Sequence, residues 1–255
     1  MRLKLISCEV LYREMCFAVA RSPHQVDVEF LPKGLHDLGS EPMRRTLQEC
    51  VDRVDAQQFA AVLMGYALCG NGLVGLSART LPIVIPRAHD CIALLMGSRQ
   101  KYQKYFDANP GVYFRSTGWL ERGGNLEQVF RDRTGVGHSL QELIKQYGED
   151  NGNYLYEQLT AYKRTYRQIT FIETGLEGGG SFEQSARDEA AQKNWEFEKV
   201  SGSLLLFEEL VSGNWPDEDF LLVKPGWRVT PRYDERVLDV EEIPYDGSGE
   251  GPGSH

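Results

Sequence analysis

The first hundred residues alternate short apolar runs with amphipathic stretches, and this alternation constrains the fold more than any other feature. Leu3–Ser7, Val26–Leu31, Phe59–Leu68 and Leu81–Ile85 read as strands. Val10–Ala20 and Glu41–Gln57 carry helical spacing between them, and a further helix is predicted from Ile92 to Phe106. Continuous apolar strands are buried on both faces, and strands alternating with helices are joined by crossovers. The predicted class is α/β, with a mostly parallel sheet covered by helices.

The pattern is interrupted and then resumes. Pro110–Phe114 opens an extended segment ending near Trp119, and the chain from Asn125 to Arg167 reads as helical with glycine breaks at 135–137 and 148–152. Strands are predicted at Gln168–Glu173, Glu196–Val200 and Asp219–Lys224, with helices at Ser181–Lys193 and Leu204–Ser212. The expected organisation is two α/β lobes with a helical insert. Residues 1–120 form the N-terminal lobe, 121–167 the insert and 168–240 the C-terminal lobe. A disordered tail covers 241–255, rich in Gly and Ser with acidic residues. Tyr154, Tyr156, Tyr162 and Tyr166 in the insert need a partly apolar surface with room for polar tips, so the insert is expected to cover or flank the site.

Composition removes several functions. A net charge of −9 lacks the basic footprint of a nucleic-acid binder. No apolar run approaches the roughly 20 residues that span a bilayer, so no membrane is expected. Met1–Cys8 is too short in its apolar part for a signal peptide, and a cytoplasmic location is expected. Five cysteines do not form a disulfide framework. In a reducing compartment they are free, packed, catalytic or metal-bound. Cys50 shares a helix face with Met43, Leu47, Val51 and Val54, and Cys16 lies in the helix after the first strand, so both read as core.

The other three, Cys8, Cys69 and Cys91, each follow an apolar run. In an open α/β sheet, ligands bind outside the carboxyl ends of the strands. Three thiols at that edge make a soft site suited to zinc or an iron–sulfur cluster. No Cys-x-x-Cys occurs, so the fold assembles the site, as in catalytic metal centres with three protein ligands and one open position. The competing reading is three small buried residues near strand ends.

Neighbouring residues extend the candidate site. Gly70-Asn71-Gly72 presents backbone N–H groups to an anionic cluster or substrate, or is simply a tight turn. Arg87, His89 and Asp90 follow the strand before Cys91. Arg87 is a candidate for an anionic substrate, His89 for acid/base work or a fourth ligand, and Asp90 for orienting a histidine or capping a helix. His89 and Cys91 are two apart and point the same way if the segment stays extended. Lys33 and His36 occupy the loop after the second strand, Lys33 to bind a carboxylate or phosphate and His36 to move a proton; the competing reading is a solvated turn. Glu9 and Arg13 are spaced as a helix-surface pair. Gly178-Gly179-Gly180-Ser181 can hold an anion at a helix start, or Ser181 caps the helix. No hydrolase or kinase motif is present.

Four segments taken together carry a resemblance: Cys8–Glu14, Leu31–Asp37, Gly65–Gly72 and Pro86–Cys91. Over most of residues 1–225 the chain resembles an uncharacterised domain-of-unknown-function family of bacteria and anaerobic archaea, often found beside corrinoid-dependent methyl-transfer proteins. The resemblance implies a context of one-carbon metabolism. With the thiol cluster, it leads to an expected metal-dependent enzyme, zinc or iron–sulfur, engaged in corrinoid-linked methyl transfer. Its partners are a small-molecule substrate or a corrinoid protein. Zinc held by three thiolates activates a substrate thiol as methyl acceptor. The alternative is a non-catalytic metal- or cofactor-handling accessory protein of a corrinoid methyltransferase system.

Overall fold

The computed structural model describes residues 1–122, 140–160 and 165–244, without the side chains of residues 36, 37, 142, 146 and 158–160. The apolar runs become the centre of one sheet. β1 (Arg2–Cys8), β2 (Gln25–Leu31), β3 (Ala61–Gly65) and β5 (Ile83–Pro86) are parallel, in the order β2-β1-β3-β5. Every residue of β3 and β5 is buried, as strands covered on both faces require. β2 lies at the edge and is only half-buried, with Asp27 and Glu29 paired to Arg2 and Lys4 of β1.

α1 (Tyr12–Arg21) links β1 to β2, and α2 (Ser40–Asp52) links β2 to β3. The first crossover moves to one side of β1 and the second moves to the other side. Right-handed crossovers therefore place the two helices on opposite faces. The strand order reverses between β1 and β3, and such a reversal opens a crevice at the carboxyl edge. Cys8 ends β1 and Cys69 lies just beyond β3, so both sit at this crevice.

The predicted helix 92–106 is two helices, α3 (Cys91–Met96) and α4 (Arg99–Ala108). Gly97 adopts a left-handed conformation between them, and Ser98 caps α4 by accepting from the Lys101 N–H. The extended segment ends early: β6 (Val112–Ser116) gives way to α5 (Thr117–Arg122), so Trp119 is helical. α6 (Leu140–Tyr147) and α7 (Glu149–Thr160) pack on each other as a hairpin; Gly152 approaches the Ile144 backbone so closely that a Cβ would sit 2.6 Å from it. Residues 123–139 and 161–164 of the expected insert, Tyr162 included, lie outside the described residues, as does most of the expected tail.

β7 (Gln168–Glu173), α8 (Ser181–Lys193) and β8 (Glu196–Ser201) match their predicted spans closely. β6, β7 and β8 form a second parallel sheet. The chain then returns. α9 (Leu205–Ser212) packs on α1, and β9 (Phe220–Val223) joins the first sheet antiparallel to β5. β10 (Trp227–Pro231) and β11 (Leu238–Glu242) make a hairpin, completed by β4 (Ser77–Ala78) into a small antiparallel sheet.

The expected lobe boundaries are thus corrected. β6, assigned to residues 1–120, belongs to the second sheet, and residues 205–242 belong with the first. The second sheet is an excursion inserted into the first unit. Among the described residues no helix is long and apolar enough to cross a membrane.

Candidate functional site

The segments after β3 and β5 stay joined beyond the sheet. The Leu68 N–H donates to Ala88 O at 3.0 Å, and the Cys69 N–H donates to His89 O at 2.9 Å. This pairing carries Cys69 alongside the approach to Cys91. Cys69, Gly70 and Asn71 then turn with successive φ values of +45°, +65° and +70°. A left-handed cysteine is uncommon and costs about 1–3 kcal/mol, a strain that clusters at functional sites. Gly72 has its own reason: a Cβ there would meet Met43 Sδ at 2.2 Å.

Cys8, Cys69 and Cys91 line one cavity of about 340 Å³ at the crevice between β1 and β3. Gly39, Ser40 and Met43 from the start of α2, Leu11 and Ile92, Tyr66 after β3, and Trp119 from α5 complete much of its wall. The Trp119 indole N–H donates to Cys91 Sγ at 3.3 Å. Burial pushes the Cys8 thiol up to about 11 and the Cys69 thiol up to about 12, and it raises Cys91 well above the usual range. Nearby groups add to this: Cys8 and Asp90 disfavour charge on Cys69, and Asp90, Cys69 and Cys8 disfavour it on Cys91. The backbone N–H groups of Val10 and Cys91 act oppositely on Cys8 and Cys69, and Lys33 lowers Cys8 slightly. The start of α2 also faces the cavity without a side-chain cap, and its positive dipole end favours a thiolate. Burial therefore disfavours the thiolate form of all three. Among the described residues, no three His, Cys, Asp or Glu side chains are already arranged as a metal-ligand set.

Tyr66 is 3% exposed, and its hydroxyl is buried without a hydrogen-bond partner. Leaving such a group unsatisfied costs about 1–3 kcal/mol. Burial raises its pKa far above the usual phenol range, with Cys8 and Cys69 the next contributors, which favours the neutral hydroxyl.

The other sequence candidates divide. Asp90 lines the cavity, but both its oxygens are engaged: Oδ1 accepts the Ala93 N–H at 2.9 Å as the cap of α3, and Oδ2 accepts the Tyr102 hydroxyl at 3.0 Å. Gly70 lines the cavity, whereas Asn71 and Gly72 shape the turn behind it. His89 does not face Cys91. Asp90 is the last extended residue and α3 starts at Cys91, while the exposed His89 lines a separate pocket with Arg99, Gln103 and Lys104. His89→Ala is therefore expected to leave the thiol cavity intact, with a thermal midpoint within about 2 °C of wild type, as surface changes are usually within about 0.5 kcal/mol.

Arg87 does not line the cavity either. Its guanidinium is buried and donates to Asp217 O, Arg236 O, Leu238 O and Asp217 Oδ1. Lys33 is half-buried and does not line the cavity; its backbone N–H donates to Glu9 Oε1 at 2.9 Å, and its charge acts on the neighbouring Cys8. The His36 side chain lies outside the described residues. The described lining thus holds no Lys, Arg or His; Lys33 and Arg87, expected to bind an anionic substrate, both lie outside it.

Further pairings differ from expectation. Arg13 pairs with Glu121 of α5 at 2.9 Å rather than with Glu9. Gly180, not Ser181, occupies the cap position of α8, and Arg13 fills the space beside Gly178. Cys16 and Cys50 do not line the cavity; Cys50 is a buried residue of α2 whose Sγ accepts from Arg53 Nη2 at 3.2 Å. Trp119 and Tyr66 carry no signal in the sequence. Tyr66 looks like one more apolar residue of the third run, and Trp119 reaches the cavity only through a contact between the two sheets' segments.

A family model described as protein of unknown function (DUF1638) matches residues 30–211, more than half of the chain. No curated protein and no solved structure matches it.

Proposed function

The chain belongs to the DUF1638 family, and we propose that its thiol-lined cavity takes up a thiophilic metal, zinc or an iron–sulfur cluster, and serves as the working site of a metal-dependent protein of one-carbon metabolism. One observation carries this reading: three cysteines from three separate strand ends converge on one cavity, and the other two cysteines stay out of it. Soft thiolates select zinc and iron–sulfur groups over hard cations. The thiols share a wall without forming a ready ligand shell, so uptake includes loss of their protons and adjustment of their side chains.

The size of the cavity favours an enzyme over a storage site. At about 30 Å³ of liquid volume per water, 340 Å³ leaves room for a small organic molecule beside a metal. A metal held by three thiolates makes a bound substrate thiol a better nucleophile, which suits methyl transfer. The methyl donor in this proposal is a corrinoid carried by a partner protein, the context that the motifs at Cys8–Glu14, Leu31–Asp37, Gly65–Gly72 and Pro86–Cys91 resemble. The accessory reading has one observation in its favour: the described lining has no Lys, Arg or His to move a proton or bind an anion. Turnover of a methyl group by the metal-loaded protein separates the two.

The test is metal analysis with an absorption spectrum of anaerobically purified protein. Cys8→Ser, Cys69→Ser and Cys91→Ser are each expected to lose most of the metal, because a hydroxyl is a far poorer soft-metal ligand. Cys16→Ser and Cys50→Ser are expected to keep it. Equal metal content in all five variants refutes the site.

A further inference from the structure

His89, Arg99, Gln100, Gln103, Lys104 and Glu235 line a second pocket, of about 240 Å³, apart from the thiols. Residues 99, 100, 103 and 104 share one side of α4, since positions four apart are neighbours on a helix. His89 joins them from the segment before α3, and Glu235 from the turn between β10 and β11. The cations here are held in place but not neutralised. Arg99 Nη1 donates to Glu235 O, and Nη2 donates to Glu218 O at 2.8 Å. Both acceptors are backbone carbonyls, so they fix the guanidinium and leave its charge without a counterion. Arg87 and Arg115 each pair with a carboxylate, but among the described residues neither Arg99 nor Lys104 forms an ion pair. Two cations against the one carboxylate of Glu235 leave the pocket positive, in a chain whose net charge is −9.

We propose that this pocket binds a small molecule by an oxyanion group, a phosphate or a carboxylate, with Arg99 and Lys104 as the cationic contacts. A guanidinium has five N–H donors in a planar fork that matches such a group, and Arg99 gives only two of them to carbonyls. Lys104 brings a compact charge on a mobile stem. The first turn of α4 adds the positive end of a helix dipole. Glu235 is then the acceptor for a hydroxyl or amine elsewhere on the ligand. At about 30 Å³ of liquid volume per water, the pocket has room for a phosphate ester or a small dicarboxylate. It backs onto the thiol cavity: His89 O accepts the Cys69 N–H at 2.9 Å, and Asp90 and Cys91 beyond it line the cavity. One segment therefore borders both places, but the proposal is independent of what the thiols hold.

The probes are inorganic phosphate and succinate, each titrated into the full chain at constant ionic strength so that screening does not imitate binding. Calorimetry reads the affinity, and backbone amide NMR shifts locate the site. At least one probe is expected to bind, with its largest shifts at His89 and along residues 99–104. Lys104→Gln and Arg99→Gln are each expected to weaken binding about tenfold or more, the effect of losing a hydrogen bond to a charged group. Glu235→Gln is expected to strengthen it about twofold to fivefold, because the change removes a like charge and keeps the side chain's shape. Lys104 is exposed, so its variant is expected to fold as wild type and keeps the test decisive if Arg99→Gln, which also loses two carbonyl contacts, is unstable.

Saturable binding of either probe that weakens in Lys104→Gln and strengthens in Glu235→Gln supports the site, and a response to phosphate alone or succinate alone names its oxyanion. Binding of neither probe overturns the proposal. So does binding that Lys104→Gln and Glu235→Gln leave unchanged, or amide shifts that fall elsewhere in the chain.

Discussion

Gly118→Ala is expected to destabilise the protein by about 3 kcal/mol, although helix propensity alone predicts a gain of about 1 kcal/mol for alanine. The difference in sign comes from one contact. Gly118 lies in α5, and a Cβ there would stand 1.7 Å from the carbonyl oxygen of Val10 and 2.7 Å from its carbonyl carbon. Neither neighbour can turn aside, because both are backbone of the turn Glu9–Leu11 that follows Cys8. The helix has to move off that turn instead. Trp119 is the next residue, so the same movement withdraws the indole from Cys91. Thermal unfolding is expected to show a drop of about 6–12 °C, at about 2–4 °C per kcal/mol for a chain of this size. Gly180→Ala is the control: no atom lies within 4 Å of the place its Cβ would take, and its φ of −74° suits any residue. It is expected to stay within about 0.5 kcal/mol of wild type. A Gly118→Ala midpoint at or above wild type sinks the steric argument.

The two glycines also show where sequence reading stops. Nothing in Thr117-Gly118-Trp119 announces that Val10 lies against it, more than a hundred positions away. The strands of the first sheet are legible because burial on both faces imposes continuous apolar runs. That the three cysteines belong to one edge is also legible, because each follows such a run and parallel strands end on the same side. What each side chain does at that edge is not. The period of a strand points His89 toward Cys91, but the helix starting at Cys91 breaks that period. Arg87 reads as a ligand-binding cation because it follows a buried strand. In the structure its carbonyl partners come from residues 217, 236 and 238, and no local pattern records them. The return of β9 to the first sheet is equally hidden, since Phe220–Val223 is apolar enough for either sheet.

Arg87 gives the second large effect. Its side chain is 1% exposed, and it ties the first sheet to the C-terminal hairpin through carbonyls of Arg236 and Leu238. Nε donates to Asp217 O at 2.8 Å, Nη1 to Leu238 O and Arg236 O, and Nη2 to Asp217 Oδ1 at 2.9 Å. The carboxylate partner, however, is 72% exposed and also pairs with Arg236 at 2.5 Å. The two ends of this ion pair are therefore unequal. Asp217→Asn keeps an acceptor in water's reach and is expected to cost about 0.5 kcal/mol, the worth of an exposed pair. Arg87→Met fits a similar stem into the site but strips buried backbone carbonyls of their donor. Breaking a buried charge's hydrogen bonds costs about 3–5 kcal/mol, and that loss is expected here. Arg87→Lys is expected to recover little of it, because an ammonium cannot serve the same fork of acceptors. The damage is local in origin, so limited proteolysis is expected to cut first between 225 and 242 in Arg87→Met while the thiol cavity stays protected. Equal losses in Arg87→Met and Asp217→Asn contradict this account, because they place the value of the contact in the ion pair and not in the buried carbonyls.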